Sequence, residues 1–317
     1  MSQAGVEKNK TEMVFTCNRE VDHLPPIDKE ADILFQRARW LQKQASPQDF
    51  KSIGRLYRIA AANDHFKAAN NLHKLVSTGS VDSVNPPAET IDLVQQLIKK
   101  NVPAGFYAMG HYLELGYGVE VDKEKALAYF RKAADMGNAD AQYYLAERLA
   151  PLEEAPALAK QMRECAMAQG HAQAANALGI DLQTDKSFEA AIKAFQIATK
   201  NGNPFSALAL EEAFQGPPAS NELYYLAVAQ DQERVKRYRA IGKFIDRYDG
   251  RNPQVPDIDK IVPLPPAPLP AWDGTFEWEK EFKSAKAPEM PSEALIKKLA
   301  QAKGLDPLTG LPLAKGK

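Results

Sequence analysis

Catalysis requires nucleophiles, acid–base groups or metal ligands at fixed spacings, and those residues come first. Five histidines, His23, His65, His73, His111 and His171, are the natural candidates for a metal site or a general base. His65 and His73 stand two helical turns apart, and none of the five has an acidic partner at ligand spacing. They read as satisfied or solvent-facing side chains. Glu153-Glu154 and Glu211-Glu212 are adjacent pairs that a helix directs to different faces, so they do not suit shared acid–base work. Cys17 and Cys165 are too few for a metal site. Cys165 falls on an apolar stripe with Met162 and Ala166, which fits a buried free thiol, whereas a Cys17–Cys165 bridge requires an oxidising compartment. Gly116-Tyr117-Gly118 resembles a phosphate cradle only superficially, because a helical pattern precedes it in place of a strand. The chain contains no G-x-S-x-G, G-x-x-x-x-G-K-[ST], H-E-x-x-H or C-x-x-C. The expectation is a chain without enzymatic activity, metal or cofactor.

The elements that carry these residues are helical and repeat. In Ala104–Ala141, Phe106, Met109 and Leu113 recur at helical spacing until Gly116-Tyr117-Gly118-Val119 turns the chain. Asp122 then offers an N-cap oxygen to a second helix, Lys123–Met136, whose stripe is Ala126, Leu127, Phe130, Ala133 and Ala134. Gly137 closes it as a left-handed C-cap. One such pair cannot bury its apolar face alone, so it should recur. Equivalent markers stand at 64, 101, 137, 170 and 202, giving spacings of 37, 36, 33 and 32. A small residue follows each: Ala68, Gly105, Ala141, Ala174 and Ser206 lie four residues on. Alanine precedes four of the markers by four residues, at 60, 133, 166 and 198, where helices must approach closely.

The residues Met109, Gly110, Gly116, Gly118, Val119, Asp122, Lys125, Ala126, Tyr129, Phe130, Lys132, Ala133, Ala134 and Gly137 resemble the Sel1-like repeat, a relative of the tetratricopeptide repeat. One copy is near complete. The others lose the Gly-x-Gly turn, to Pro151–Pro156, Gln183–Lys186 and Gly216-Pro217-Pro218. The resemblance implies an all-α fold, an α-α superhelical solenoid of Sel1-like repeats, here with an irregular proline-rich C-terminal tail. Three regions are expected: an irregular segment 1–27, the helical repeats 28–248 and a wrapping tail 249–317. Solenoids line their concave side with the first helix of each pair. The side chains there not needed for packing are Tyr107, His111 and Tyr112 in one repeat, and Tyr143, Tyr144, Glu147 and Arg148 in the next. Tyr, His and Arg suit a protein-binding patch, although Tyr107 and Tyr143 equally suit packing within the stack.

Composition sets outer limits. Acidic and basic residues balance at 41 against 40, so no basic face for nucleic acid is expected. No run of 18 apolar residues could span a membrane. Within the repeats, Asp28 should cap Lys29–Gln44, Ser46-Pro47 should start Gln48–Ala62, and Asn203-Pro204 should start Pro204–Phe214. Glu222–Ala229 and a charged Gln232–Tyr248 follow, the latter read as a polar terminal cap. The tail holds 11 of the 22 prolines, yet also Trp272, Phe276, Trp278 and Phe282 within eleven residues. Such aromatic density predicts that it folds back on the repeats, with one short helix at Ser292–Lys303.

A second resemblance covers both ends. Phe15-Thr16-Cys17, Asp22-His23-Leu24-Pro25, Ala38-Arg39-Trp40-Leu41, Trp272-Asp273-Gly274-Thr275-Phe276 and Leu305-Asp306-Pro307-Leu308-Thr309-Gly310-Leu311-Pro312 are similar to Sel1-like proteins that accompany type VI secretion lipase effectors. That resemblance implies an immunity protein whose partner is a secreted phospholipase, exported to the periplasm and lipid-anchored through an N-terminal segment removed from this sequence. The polar N-terminus has no signal core and by itself reads as cytoplasmic. A general envelope or cytosolic scaffold is the alternative function.

Overall fold

Five helix junctions, at the marker residues, are closed in the same way, and the local chemistry explains why. The structure, a computed structural model, describes residues 14–44, 48–151 and 155–313. The marker residues Asp64, Asn101, Gly137, Gly170 and Gly202 all have left-handed backbone, with φ of 67, 53, 89, 85 and 90°. The next residue donates its N–H to a carbonyl five positions back: His65 to Ala60, Val102 to Leu97, Asn138 to Ala133, His171 to Ala166 and Asn203 to Ala198, at 2.9–3.1 Å. This closes the finished helix. The same residue then opens the following one. The side chains of His65, Asn138, His171 and Asn203 accept from the backbone N–H of Ala68, Ala141, Ala174 and Ser206 at 2.9–3.1 Å. Val102 has no such side chain, and Pro103 at the first helical position removes one of the donors that would need a partner.

Among the described residues there are fifteen α-helices, a 3-10 turn at Glu20–His23 and one isolated bridge between Leu305 and Pro312. The helices are α1 Lys29–Lys43, α2 Phe50–Ala62, α3 Phe66–Ser77, α4 Pro86–Lys99, α5 Pro103–Leu115, α6 Lys123–Asp135, α7 Ala139–Leu149, α8 Pro156–Ala168, α9 Ala172–Thr184, α10 Phe188–Lys200, α11 Pro204–Phe214, α12 Gln232–Arg247, α13 Ile258–Ile261, α14 Glu277–Ser284 and α15 Glu293–Gln301. The tail thus carries three short helices where the sequence pattern suggests one. Asp28, Asp122 and Asn203 cap the helices they precede, as their positions predict. Ser46-Pro47 lies outside the described residues, and α2 takes its cap from Asp49, which accepts from Ser52 N–H at 3.0 Å. Glu153-Glu154 also lies outside them.

Two compact units divide the described residues, one within 18–141 and 286–313, the other within 14–17 and 142–285. In the first, consecutive helices α1 to α6 pack on their neighbours, and α15 packs on α1 and α2. Its core holds Leu34, Ile53, Tyr57, Ile59, Leu72 and Leu97, joined by Ile296, Leu299 and Ala300 of the tail. Helix pairs interlock where a glycine faces a ring. A Cβ at Gly110 would stand 2.6 Å from the Phe130 ring. Gly105 similarly lets α5 sit against the Leu97 side chain.

The second unit repeats that device with Gly179 under Phe195. Its core joins Phe195, Leu210, Phe214, Tyr238, Ile241 and Phe244 to tail residues Val255, Ile258, Ile261, Val262 and Phe276. Phe276 stacks on Phe244 with ring centroids 4.2 Å apart. Helix α12, expected as a polar cap, instead docks the proline-rich segment. A proline-rich chain has no internal hydrogen bonds, so its carbonyls need outside donors. Arg234 donates to Pro263 O and Ala267 O at 3.1 and 2.6 Å, and Arg237 to Ile261 O and Pro270 O at 2.6 and 2.9 Å. Both arginines are buried.

The helix expected at Glu222–Ala229 is absent. Gln183 draws off its carbonyls, donating to Glu222 O and Leu223 O at 3.1 Å and Tyr225 O at 3.3 Å, and Ala227 is left-handed. The expected free thiol is also corrected, because Cys165 is bonded to Cys17 across a sequence separation of 148.

If Phe276 anchors the tail, Phe276→Ala should lower stability by about 3 kcal/mol through lost burial and the cavity left on Phe244. Chemical denaturation with limited proteolysis checks this: the variant should be cut faster within residues 262–285, and an unchanged midpoint would contradict the assignment.

Candidate protein-binding surfaces

In the first unit a recess of about 400 Å³ opens among Glu20, Arg39, Lys67, Asn70, Asn71, Lys74, Tyr107 and Asn138, with Phe35, Phe66 and Val102 as apolar walls. Helical spacing places Lys67, Asn70, Asn71 and Lys74 on one stripe of α3. The opposite stripe, Ala68, Ala69, Leu72 and Val76, is buried in the core. Glu20 reaches the recess from the 3-10 turn, and its carboxylate accepts from Asn138 Nδ2 at 3.1 Å. Asn18 Nδ2 beside it donates to Asp135 O at 2.7 Å. Gly137 allows this close seating, since a Cβ there would stand 2.4 Å from the Arg19 carbonyl carbon. Burial pushes the Glu20 carboxyl above its usual range, and Asp140 adds to the rise, against the lowering influence of Asn138.

Three of the sequence-predicted residues lie on α5 in this unit, all half-buried. Tyr107 meets His111 edge-on at 4.6 Å and Phe130 at 5.8 Å, so its ring packs between α5 and α6. His111 stands 3.5 Å from the Glu114 carboxylate. Tyr112 is tied to His73, whose Nδ1 lies 2.9 Å from the phenol oxygen, while Nε2 faces Asn70 Oδ1 at 3.4 Å. An amide oxygen can only accept, so Nε2 carries the proton and Tyr112 donates to Nδ1. Burial holds His73 down to about 3, keeping this neutral form. His65 shifts the same way, because burial outweighs its bond to Asp32.

The other four lie on α7 in the second unit. Tyr143 and Tyr144 are half-buried, Glu147 and Arg148 exposed. Tyr143 packs on the His171 ring at 4.8 Å. Arg148 hydrogen-bonds the Tyr144 hydroxyl and lies over its ring at 4.5 Å. Glu147 accepts from Arg163 at 2.7 Å, and Arg163, itself buried, also bonds Asp181. Tyr143 and Glu147 are therefore engaged in holding α7, α8 and α9 together. Tyr144 and Arg148 form a braced pair at the surface.

The second unit also has an apolar groove of about 730 Å³ lined by α9, α10, α11 and residues 219–225. Phe205 and Leu223 there are 72% and 69% exposed, and Ile180 and Leu208 also face solvent. The sequence reading missed this groove and the α3 stripe. The α3 stripe was visible as polar residues at i, i+3, i+4 and i+7. The groove was hidden because its rim was read as a helix. Among the described residues no group of three or more His, Cys, Asp or Glu side chains could hold a metal ion. Among these same residues no helix is long and apolar enough to cross a membrane.

Comparison with known proteins places this architecture. The family model described as "Domain of unknown function (DUF6396)" matches residues 206–313. No curated protein matches the chain. Among solved structures, immunity protein Pa5087 from Pseudomonas aeruginosa is 30% identical, with 80% of this chain and 96% of that chain covered at a TM-score of 0.65. Immunity protein PA5088 from the same organism is 27% identical, with 80% and 95% covered at a TM-score of 0.66. A Sel1 repeat protein from Oxalobacter formigenes is 21% identical, with 68% and 86% covered at a TM-score of 0.54, and shares the fold. The fold is an α-α solenoid of Sel1-like repeats.

His73 generates a pH dependence. Its native value of about 3 lies below the 6.5 of an unfolded histidine, so between them the unfolded chain binds more protons. Stability from this group is complete above that unfolded value and is lost as pH falls. From pH 7 to pH 5 the loss should be about 2 kcal/mol, and His73→Gln should remove that part of the slope. Urea titrations of both proteins at the two pH values measure it, and parallel slopes would refute it.

Proposed function

We propose that this chain, which belongs with the Pseudomonas aeruginosa immunity protein Pa5087 to one family of Sel1-like repeat proteins, is itself an immunity protein that binds and neutralises a secreted toxin. The carrying observation is the 30% identity spread over 96% of Pa5087 rather than over one repeat. The toxin class follows from the motifs at both chain ends, which resemble proteins accompanying type VI secretion phospholipases. The chain acts by binding, without catalysis or cofactor: of its buried polar groups, His65 and Asn138 cap helices and Arg234 and Arg237 satisfy carbonyls.

A periplasmic location accords with the Cys17–Cys165 bridge, since such bonds persist in oxidising compartments. The bridge closes a long loop in the unfolded chain, so reduction should lower stability by about 2–4 kcal/mol. Thermal unfolding with and without reductant tests this, together with thiol counting on protein recovered from periplasm and from cytoplasm. Two free thiols in the periplasmic protein would refute the assignment.

For binding, exposed Arg148 with half-buried Tyr144 on α7, and the half-buried Tyr107, His111 and Tyr112 on α5, are the proposed contacts, with Tyr143 and Glu147 supporting them. Neutralisation requires tight association, with Kd at about nanomolar or below. Tyr144→Ala with Arg148→Ala should weaken toxin binding by about 2 kcal/mol or more while leaving the melting temperature unchanged. Titration of a phospholipase effector with the purified chain, and survival of cells exporting that effector, decide the reading. A chain that neither inhibits nor protects would be a scaffold instead.

A further inference from the structure

We propose that residues 217–230, which join α11 to α12 in the second unit, form a two-state gate on the apolar groove. In one state, that of the structure, the gate is latched to Gln183 of α9. In the other it winds into a short helix, leaves α9 and widens the groove. The gate rests on the geometry of this unit and is independent of the immunity reading.

The first observation is a helix halted one turn after it starts. Tyr224 and Tyr225 donate their N–H groups to Asn221 O at 3.2 and 2.9 Å, and the second bond closes one helical turn. That first turn is the costly part of helix growth, and lengthening it is cheap. Growth would require the carbonyls of Glu222, Leu223 and Tyr225 to accept from the N–H groups of Leu226, Ala227 and Ala229. Gln183 Nε2 occupies those same three carbonyls, at 3.1, 3.1 and 3.3 Å. Among the described residues nothing accepts from the three N–H groups.

The second is that the latch is single and weak. An amide nitrogen carries two hydrogens, so three carbonyls share two donors. Within residues 217–226 Leu226 alone is fully buried, while Leu223 is 69% exposed. Ala227 is held at φ 53°, which is unfavourable for a residue with a Cβ and which a right-handed helix would relieve.

The third is that both ends are fixed. Gly216 N–H donates to Ala213 O at 3.1 Å and Asp231 N–H to Phe214 O at 2.9 Å. Asp231 also caps α12, accepting from the N–H groups of Glu233 and Arg234. Movement is thereby confined to the span between them. Glu222, Leu223, Tyr224 and Tyr225 form one wall of the groove. A helix cannot leave its carbonyls on Gln183, so this wall must move when the helix forms.

Hydrogen exchange of the full chain tests the gate, because Ala227 and Ala229 are exposed and unbonded in the latched state. Gln183→Glu keeps the length and polarity of the side chain but removes its donors. It should slow exchange across residues 226–229 about threefold, the modest protection expected of a short helix. Gln183→Leu should do the same, and both should keep the wild-type melting temperature. Ala227→Gly should oppose this, since glycine accepts the left-handed backbone freely and disfavours helix. Added to Gln183→Glu, it should restore fast exchange. Fluorescence of the apolar probe bis-ANS should rise roughly twofold in Gln183→Glu and return to the wild-type level in the double variant. Were Gln183 merely a loop anchor, its loss would leave exchange across 226–229 unchanged or faster, and either result would overturn the proposal. Slower exchange with unchanged bis-ANS fluorescence would also overturn it, since a helix would then form without opening the groove.

Discussion

Everything in this protein depends on a two-residue junction that ends one helix and begins the next. A left-handed residue breaks the helix, and its successor donates its N–H backwards to a carbonyl and, at four of the five junctions, accepts with its side chain from a backbone N–H ahead. Helix ends leave backbone groups without partners, and burying them unsatisfied is costly. His65, Asn138 and Asn203 are themselves buried, so no water could do this work. Because each junction meets the requirement locally, the chain can reverse within two residues and place the next helix against the last. The glycine-on-phenylalanine contacts at Gly110 and Gly179 then set how closely partners approach.

The tail solves the same problem by a different route. Its prolines interrupt regular structure, so several of its carbonyls, those of Ile261, Pro263, Ala267 and Pro270 among them, take side-chain donors from the repeats. Arg234 and Arg237 supply several donors each from one helix, and Phe276, Ile258 and Ile261 supply the apolar burial. In the other unit Arg55 Nε bonds Pro307 O at 2.6 Å while Ile296 and Leu299 enter the core. Arginines that look solvent-facing in a charged helix are structural here.

This division of labour bears on binding. Polar side chains at the junctions and under the tail are consumed by backbone groups. Lys67 and Lys74 of the α3 stripe, by contrast, are placed outward by the helix period and exposed. Near-neutral net charge gives no global steering, so recognition falls to such local groups.

Local chemistry was legible in the sequence. The period of the markers, the Asp28, Asp122 and Asn203 caps and the left-handed Gly137 are determined by residues within a few positions of one another, and all stand where they were read. That His65 and His171 would act as caps was not read, although both follow their markers as Asn138 and Asn203 do. Of the seven candidate contact residues, the sequence determined that each would lie on a first helix of a pair. It did not separate Tyr112 and Glu147, whose hydroxyl and carboxylate are bound to His73 and Arg163, from Arg148 at the surface. Only tertiary structure decided the Cys17–Cys165 bond, the burial of Arg234 and Arg237, and the recess at α3. Each joins groups separated by tens to hundreds of residues, and helical periodicity specifies which face a residue occupies but not what that face will meet.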